Sequence, residues 1–190
     1  MVRRVGSASW GQVFHALVTL AVFGTLIGAP LAALSVALLD RVVLGVDVGV
    51  PVRPAGGSVA GLTEVVGRVD PAALPTGTGL AVLGLWLAGV LATVPALEVL
   101  RRITGAVLRG EPFRWANLRL LTWLGAAVIG AAAASWLTTG AASWLAARAT
   151  GHESFVPPFP GWWVLGPAVL GLTEVFRVGA RLQHDDDLTV

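Results

Sequence analysis

The sequence predicts an all-α membrane protein: four transmembrane helices in a bundle, with a small β element in the first outer loop. Three observations carry that prediction. Hydrophobic residues make up 55% of the 190 residues and charged residues only 13%, against about 25% charged in a soluble domain. The charges are missing from long uninterrupted stretches rather than thinned out evenly, as in membrane spans. The arginines, finally, cluster in some of the connecting segments and avoid others, which is how loops on the two sides of a membrane differ.

The first span is expected over about 13–39, which carries no formal charge until Asp40 and exceeds the roughly 20 residues that a helix needs to cross. The apolar region of a signal peptide is only about 7–15 residues long, so the segment reads as an uncleaved helix. An outer loop follows over 40–79. In it Val46, Val48, Val50 and Val52 alternate with Asp47, Gly49, Pro51 and Arg53, the period-two pattern of a half-buried strand. Pro51 assigns that strand to a sheet edge. The second helix is expected over 80–109, with its membrane part near 80–100. Gly110 is placed to end it in a left-handed cap, with Pro112 just beyond. The third runs over 115–147. The fourth runs over 162–182 from the Trp162-Trp163 pair, leaving the membrane near Phe176. The chain, 1–190, is then a single four-helix membrane domain.

Arginine placement sets the orientation. Arg3, Arg4, Arg101, Arg102, Arg109, Arg114, Arg119, Arg177 and Arg181 fall on one side, and Arg41, Arg53, Arg68 and Arg148 on the other. The richer side is expected to be cytoplasmic, with both termini there. Small residues recur every four positions at Gly24, Gly28 and Ala32 and at Ala126, Gly130 and Ala134, spacings that let helix backbones approach in lipid.

Composition also excludes functions. All 13 basic residues are arginine and none is lysine. Arginine stays charged above pH 12, so the isoelectric point near 10.9 is compatible with a net charge of only +2. It does not indicate direct nucleic-acid binding. The absence of cysteine excludes disulfides, thiol catalysis and thiolate metal sites. There is no P-loop, G-x-S-x-G elbow or H-E-x-x-H motif. No catalytic residue, cofactor or metal is expected, and the chain does not read as an enzyme. His152 with Glu153 reads as a solvated pair, and Asp185, Asp186 and Asp187 as a solvated terminus. A ligand site in the outer loop has no support from its residues.

The run Arg109-Gly110-Glu111-Pro112-Phe113, followed by Asn117 and Gly125, resembles a motif of a bacterial membrane family, the domain-of-unknown-function family 2975. A second run, Glu174-Val175-Phe176-Arg177-Val178-Gly179-Ala180-Arg181-Leu182 closing on Asp187-Leu188-Thr189-Val190, resembles the family's other marker. The resemblance implies four helices with cytoplasmic ends in the bacterial inner membrane. It also implies a gene often found beside a short helix-turn-helix regulator. No activity, substrate or cofactor comes with it. Trp115 departs from the small or polar residue expected there.

Two acidic residues in apolar surroundings need an explanation. Glu98 lies about 27 Å along its helix from Leu80, near the edge of a hydrocarbon core about 30 Å thick. Glu174 lies only about 18 Å from Trp162. Either the Pro-rich run before Trp162 dips into the membrane or Glu174 lies inside it. Both sites read Glu-Val-apolar-Arg, and a glutamate three residues before an arginine on a helix is its neighbour. If the second and fourth helices lie side by side, Glu98 also reaches Arg177, and Glu174 reaches Arg101. His15 reads as an interfacial or hydrogen-bonded residue. The leading functional reading is a membrane-bound interaction or regulatory protein. It would engage a cytoplasmic partner such as the helix-turn-helix regulator through Arg109, Pro112, Phe113, Asn117 and Arg181. The alternative is a small transporter or channel subunit that uses Glu98 and Glu174 and acts as a homo-oligomer.

Overall fold

The computed structural model describes residues 10–39, 49–53, 67–109 and 115–187, with the side chains of 118–178 in the last stretch. Its helices are α1 (Trp10–Phe23), α2 (Ala29–Leu39), α3 (Thr76–Leu91), α4 (Val94–Leu108), α5 (Trp115–Thr150) and α6 (Leu165–Asp187). The strands are β1 (Val50–Arg53), β2 (Gly67–Val69) and β3 (Glu153–Ser154). The segments Trp10–Leu38, Thr76–Leu108 and Leu118–Thr150 are long and apolar enough to cross a membrane. Among the described residues, three spans rather than the expected four meet that condition. The sequence of α6 holds Glu174, Arg177 and Arg181, which lowers its apolar content below that of the other three. It also runs past the expected end at 182, through good helix formers at Ala180, Arg181, Leu182 and Gln183.

Two of the spans are interrupted, and proline explains both. Between α1 and α2 the chain makes a five-residue π turn, Gly24–Gly28. Pro30 follows it, lacks an N–H and would drive its ring against the carbonyl four residues back. Widening the preceding turn removes that clash. Between α3 and α4 the break falls at Ala92 and Thr93, with Pro95 in the first turn of α4. A proline there leaves the Leu91 carbonyl without its i+4 donor. The expected unbroken helix over 80–109 is therefore two helices. The helix ends at Leu108 with Arg109 as its C-cap, at the expected place, and Gly110, the expected cap glycine, lies outside the described residues.

The chain divides into two compact units. One comprises Thr25–Ala92 and Ala131–Gly161. In it, α2 packs against α3, and the sheet has the order β2-β1-β3, all antiparallel. Val50, Val52, Leu74, Val82, Ala142 and Ala146 form the buried cluster under the sheet. The alternating valines thus do point one face of a strand inward, as period two requires. The expectation that Pro51 marks an edge is corrected, since β1 is the central strand. The reason it is tolerated is register. Pro51 lies opposite Arg68 on β2, while pairing with β3 starts only at Val52. Pro51 therefore has a neighbouring strand on one side only, which is edge character within a central strand.

Asp70 caps the short 3-10 turn Pro71–Ala73 by accepting the Ala72 N–H at 3.0 Å. A β-carbon on Gly79 would come within 2.5 Å of the Pro71 carbonyl oxygen, so the turn seats directly on α3. The Pro-rich run is pinned to α5. The Phe155 N–H donates to the fully buried Ser143 hydroxyl at 2.8 Å, and Trp136 Nε1 donates to the Pro157 carbonyl at 2.8 Å. Ser143 and Trp136 are about two helical turns apart. The run thus travels back along α5 before Trp162. At the end of α5, Gly151 takes the left-handed conformation (φ 71°) that side chains disfavour.

The other unit comprises Met1–Gly24, Thr93–Gly130 and Trp162–Val190. Within it α1 packs on α4, and α5 meets α6 at Gly125 and Gly166. A β-carbon on Gly125 would fall 2.6 Å from Leu170 Cγ and 3.0 Å from the Gly166 carbonyl. One on Gly166 would fall 2.5 Å from Ile129 Cγ1 and 2.9 Å from the Gly125 carbonyl. The two backbones therefore touch. The small-residue stripes read from spacing are used only in part: Ala32 is buried, but most of the other positions show little contact. Gly24, Gly28 and Gly130 have nothing within 4 Å of an added β-carbon, and Ala126 is exposed. Small size allows close packing, but the neighbouring helix decides which small residues are used.

Large apolar side chains on the spans point outward. Leu20 is 68% exposed and Leu38 72%, with Phe14, Leu17, Phe23, Leu31 and Leu137 also exposed. In water so large an apolar patch is a liability; against lipid tails it is matched.

Candidate functional site

The charged residues singled out in the sequence gather on α4 and α6, both within the unit that also holds α1. Glu98 stands on α4 one turn before Arg101 and Arg102. Arg101 grips its carboxylate with a two-pronged bond, Nε to Oε2 at 2.7 Å and Nη2 to Oε1 at 2.9 Å. Arg102 Nε adds a bond to Oε1 at 2.8 Å. A fork of this kind is the strongest geometry an arginine and a carboxylate can adopt. On α6, Arg177 donates to Glu174 in the same three-residue spacing. Glu98 is the more enclosed of the two acids, its side chain 28% exposed against 58% for Glu174.

Of the two pairings posed, the described residues show the one within each helix: Glu98 bonds Arg101 and Arg102 on α4, and Arg177 bonds Glu174 on α6. Helical spacing already brings residues three apart to about 5–6 Å between β-carbons. Pairing within the helix therefore forms without ordering a second helix.

His15 reaches across from α1. Its Nδ1 lies 2.7 Å from the Thr104 hydroxyl, and that hydroxyl donates to the Arg101 carbonyl at 3.0 Å. A hydroxyl has one proton to give, so His15 is the donor in its bond to Thr104. The expectation of a hydrogen-bonded histidine holds, and the bond ties α1 to the turn that carries the Glu98 cluster. Arg109 closes α4 as its C-cap residue. A β-carbon on Gly105 would sit 3.5 Å from Arg109 Nη1 and 3.5 Å from His15 Cε1. The Arg109 side chain thus folds back over Gly105 beside the imidazole.

Of the five residues expected to bind a partner, Arg109 is described in full. The backbones of Asn117 and Arg181 belong to α5 and α6, while their side chains, and Pro112 and Phe113 entirely, lie outside the described residues. Trp115, the departure from the family pattern, begins α5. Glu153 belongs to β3, and His152 Nδ1 lies 2.8 Å from the Thr150 hydroxyl. Among the described residues no three His, Cys, Asp or Glu side chains come together as metal ligands.

Several residues escaped the sequence reading. Trp136 and Ser143, which hold the Pro-rich run, are seven apart on an Ala-rich helix and so share a face; that spacing was the available signal. Arg148 lies over the Trp144 ring at 4.6 Å, another pair four residues apart. In the unit that holds the sheet, a hollow of about 250 Å³ is lined by Pro51, Arg68, Trp86, Thr138, Thr139 and Ala142. Its two threonine hydroxyls already donate to the α5 backbone.

Membrane-length apolar helices with large apolar side chains on their outer faces define this chain as a membrane protein by build. It belongs to the family DUF2975, proteins of unknown function, whose model matches residues 47–190. That match spans both runs of residues quoted for the resemblance. Searches of curated proteins and of solved structures found no match.

Proposed function

We propose that this chain is a multi-pass protein of the bacterial inner membrane, with both ends in the cytoplasm, that holds a cytoplasmic protein partner. The partner class favoured by the family's gene setting is a small helix-turn-helix regulator. The observation that carries the reading is the placement of the family motifs. The end of α4 at Arg109, the start of α5 with Gly125, and α6 with Glu174 and Arg177 all belong to one compact unit. Two motifs far apart in sequence thus contribute to the same compact unit. The arginine excess in these segments supports a cytoplasmic position for them. The pairing of Glu98 and Glu174 with arginines of their own helices supports a structural role for both acids over a transport role. The reading assigns the chain no enzymatic step.

Affinity purification of the full chain from native membranes tests the reading. A small soluble protein should co-purify in stoichiometric amount. The triple variant Pro112→Ala, Phe113→Ala, Asn117→Ala should lose it while its abundance in the membrane is unchanged. Retention of the partner by that variant, or recovery of the chain alone, contradicts the proposal.

A further inference from the structure

We infer that the notch at Gly105 on α4 binds a phosphate-bearing anion. Arg102, Gly105 and Arg109 follow one another at i, i+3 and i+7, so they stack along one face of the helix. The middle position carries no side chain. The result is a shallow notch that the Arg109 guanidinium and the His15 ring border, with the Arg102 guanidinium one turn nearer the N-terminus, at Glu98. Helical side chains lean toward the N-terminus, and Arg109 does so, its Nη1 lying 3.5 Å from where a Gly105 β-carbon would be. His15 closes the gap from α1, its Cε1 at the same distance from that point. The ring is held there by the bond from Nδ1 to Thr104.

The donors are free to bind. Among the described residues the Arg109 guanidinium has no ion-pair partner. Arg102 gives only its Nε to Glu98, which leaves its two terminal nitrogens for a ligand. Both arginines are exposed. The charge balance on α4 favours an anion: among the described residues of this helix, Arg101, Arg102 and Arg109 stand against Glu98. The carbonyls at the end of α4 oppose an anion with only about half a charge. A phosphate oxygen pair fits a planar guanidinium fork better than a monovalent halide does. The notch lies at the end of the membrane-length segment Thr76–Leu108, the depth at which lipid phosphates lie. A phospholipid headgroup and a free phosphate ester share this chemistry.

The test uses the full chain in nonionic detergent micelles. Bound lipid is counted by native mass spectrometry during titration with phosphatidylglycerol or phosphatidylcholine, and a parallel titration uses inorganic phosphate. Phosphatidylglycerol should be retained over phosphatidylcholine. Arg109→Gln and Arg102→Gln should each weaken retention about fivefold, the factor for about 1 kcal/mol per arginine near a lipid surface. Gly105→Leu should weaken it as well, by filling the gap with no change of charge. Arg148→Gln, on α5, should change nothing. Retention of phosphatidylglycerol without a response to inorganic phosphate assigns the site to a headgroup. A response to inorganic phosphate that Arg109→Gln abolishes assigns it to a free anion. Equal retention of the two lipids together with no response to phosphate overturns the site, as does an equal loss in Arg148→Gln. Among the described residues Arg109 has no ion-pair partner to lose, and the melting temperature of Arg109→Gln, expected to match that of the parent chain, keeps the test independent of folding.

Discussion

Glu98 and Glu174 are both one helical turn from an arginine, yet they differ in what depends on them. Glu98 bonds two guanidinium groups through three hydrogen bonds and is the less exposed acid. Glu174 holds Arg177 from a more open position. Glu98→Gln should therefore lower the melting temperature in detergent more than Glu174→Gln does. Adding Arg177→Gln should partly restore the Glu174→Gln protein, and adding Arg101→Gln should not. Rescue by Arg101→Gln would show that the pairing crosses between helices. Ser143→Ala should cost about 1 kcal/mol, because it removes the acceptor of the part-buried Phe155 N–H; thermal unfolding of the purified protein reads this directly. The pairs within a helix were legible in the sequence, since a spacing of three fixes them. The His15 bond to Thr104 was not, because those residues are 89 positions apart and only the packing of α1 on α4 brings them together.

At the scale of elements, the meeting of α5 and α6 is the most exacting contact. Gly125→Ala should destabilise the protein by about 1–3 kcal/mol, the usual cost of overpacking a tight site, since its β-carbon would overlap Leu170. Gly130→Ala, five residues further along the same helix, meets nothing within 4 Å and should stabilise by up to about 1 kcal/mol through helix propensity. Melting temperatures of the two variants decide between the observed contact and the stripe suggested by spacing. Destabilisation by Gly130→Ala equal to that of Gly125→Ala would favour the stripe. Spacing alone could not choose, because an Ala- and Gly-rich helix presents small residues on every face. The interruptions at Pro30 and Pro95 were available in the sequence, since each proline removes a donor wherever it stands in a helix. The strand at Val50–Arg53 was legible from alternation. Its central position was not, because that depends on β3, a two-residue strand from the other loop too short to leave a pattern.

For the whole molecule, the apolar spans and the family were legible because both are written in local runs of residues. The number of crossings is the part that composition left open. Glu174, Arg177 and Arg181 make α6 less apolar than the other long helices, and three segments rather than four qualify as spans. The pairing of β1 with β3 joins the two loops expected on the outer side, which agrees with a shared compartment for both. The proposed cytoplasmic docking role requires the C-terminal motif to lie on the opposite side from that sheet. Single cysteines at Ser7, Ser58, Ser154 and Thr189 test this most directly, because the chain contains no native cysteine and each engineered thiol stands alone. An impermeant thiol reagent applied to intact cells should label Ser58→Cys and Ser154→Cys and spare Ser7→Cys and Thr189→Cys. Labelling of Thr189→Cys together with Ser154→Cys would mean that α6 does not cross. Labelling of either terminal position would contradict the placement on which the proposed function rests.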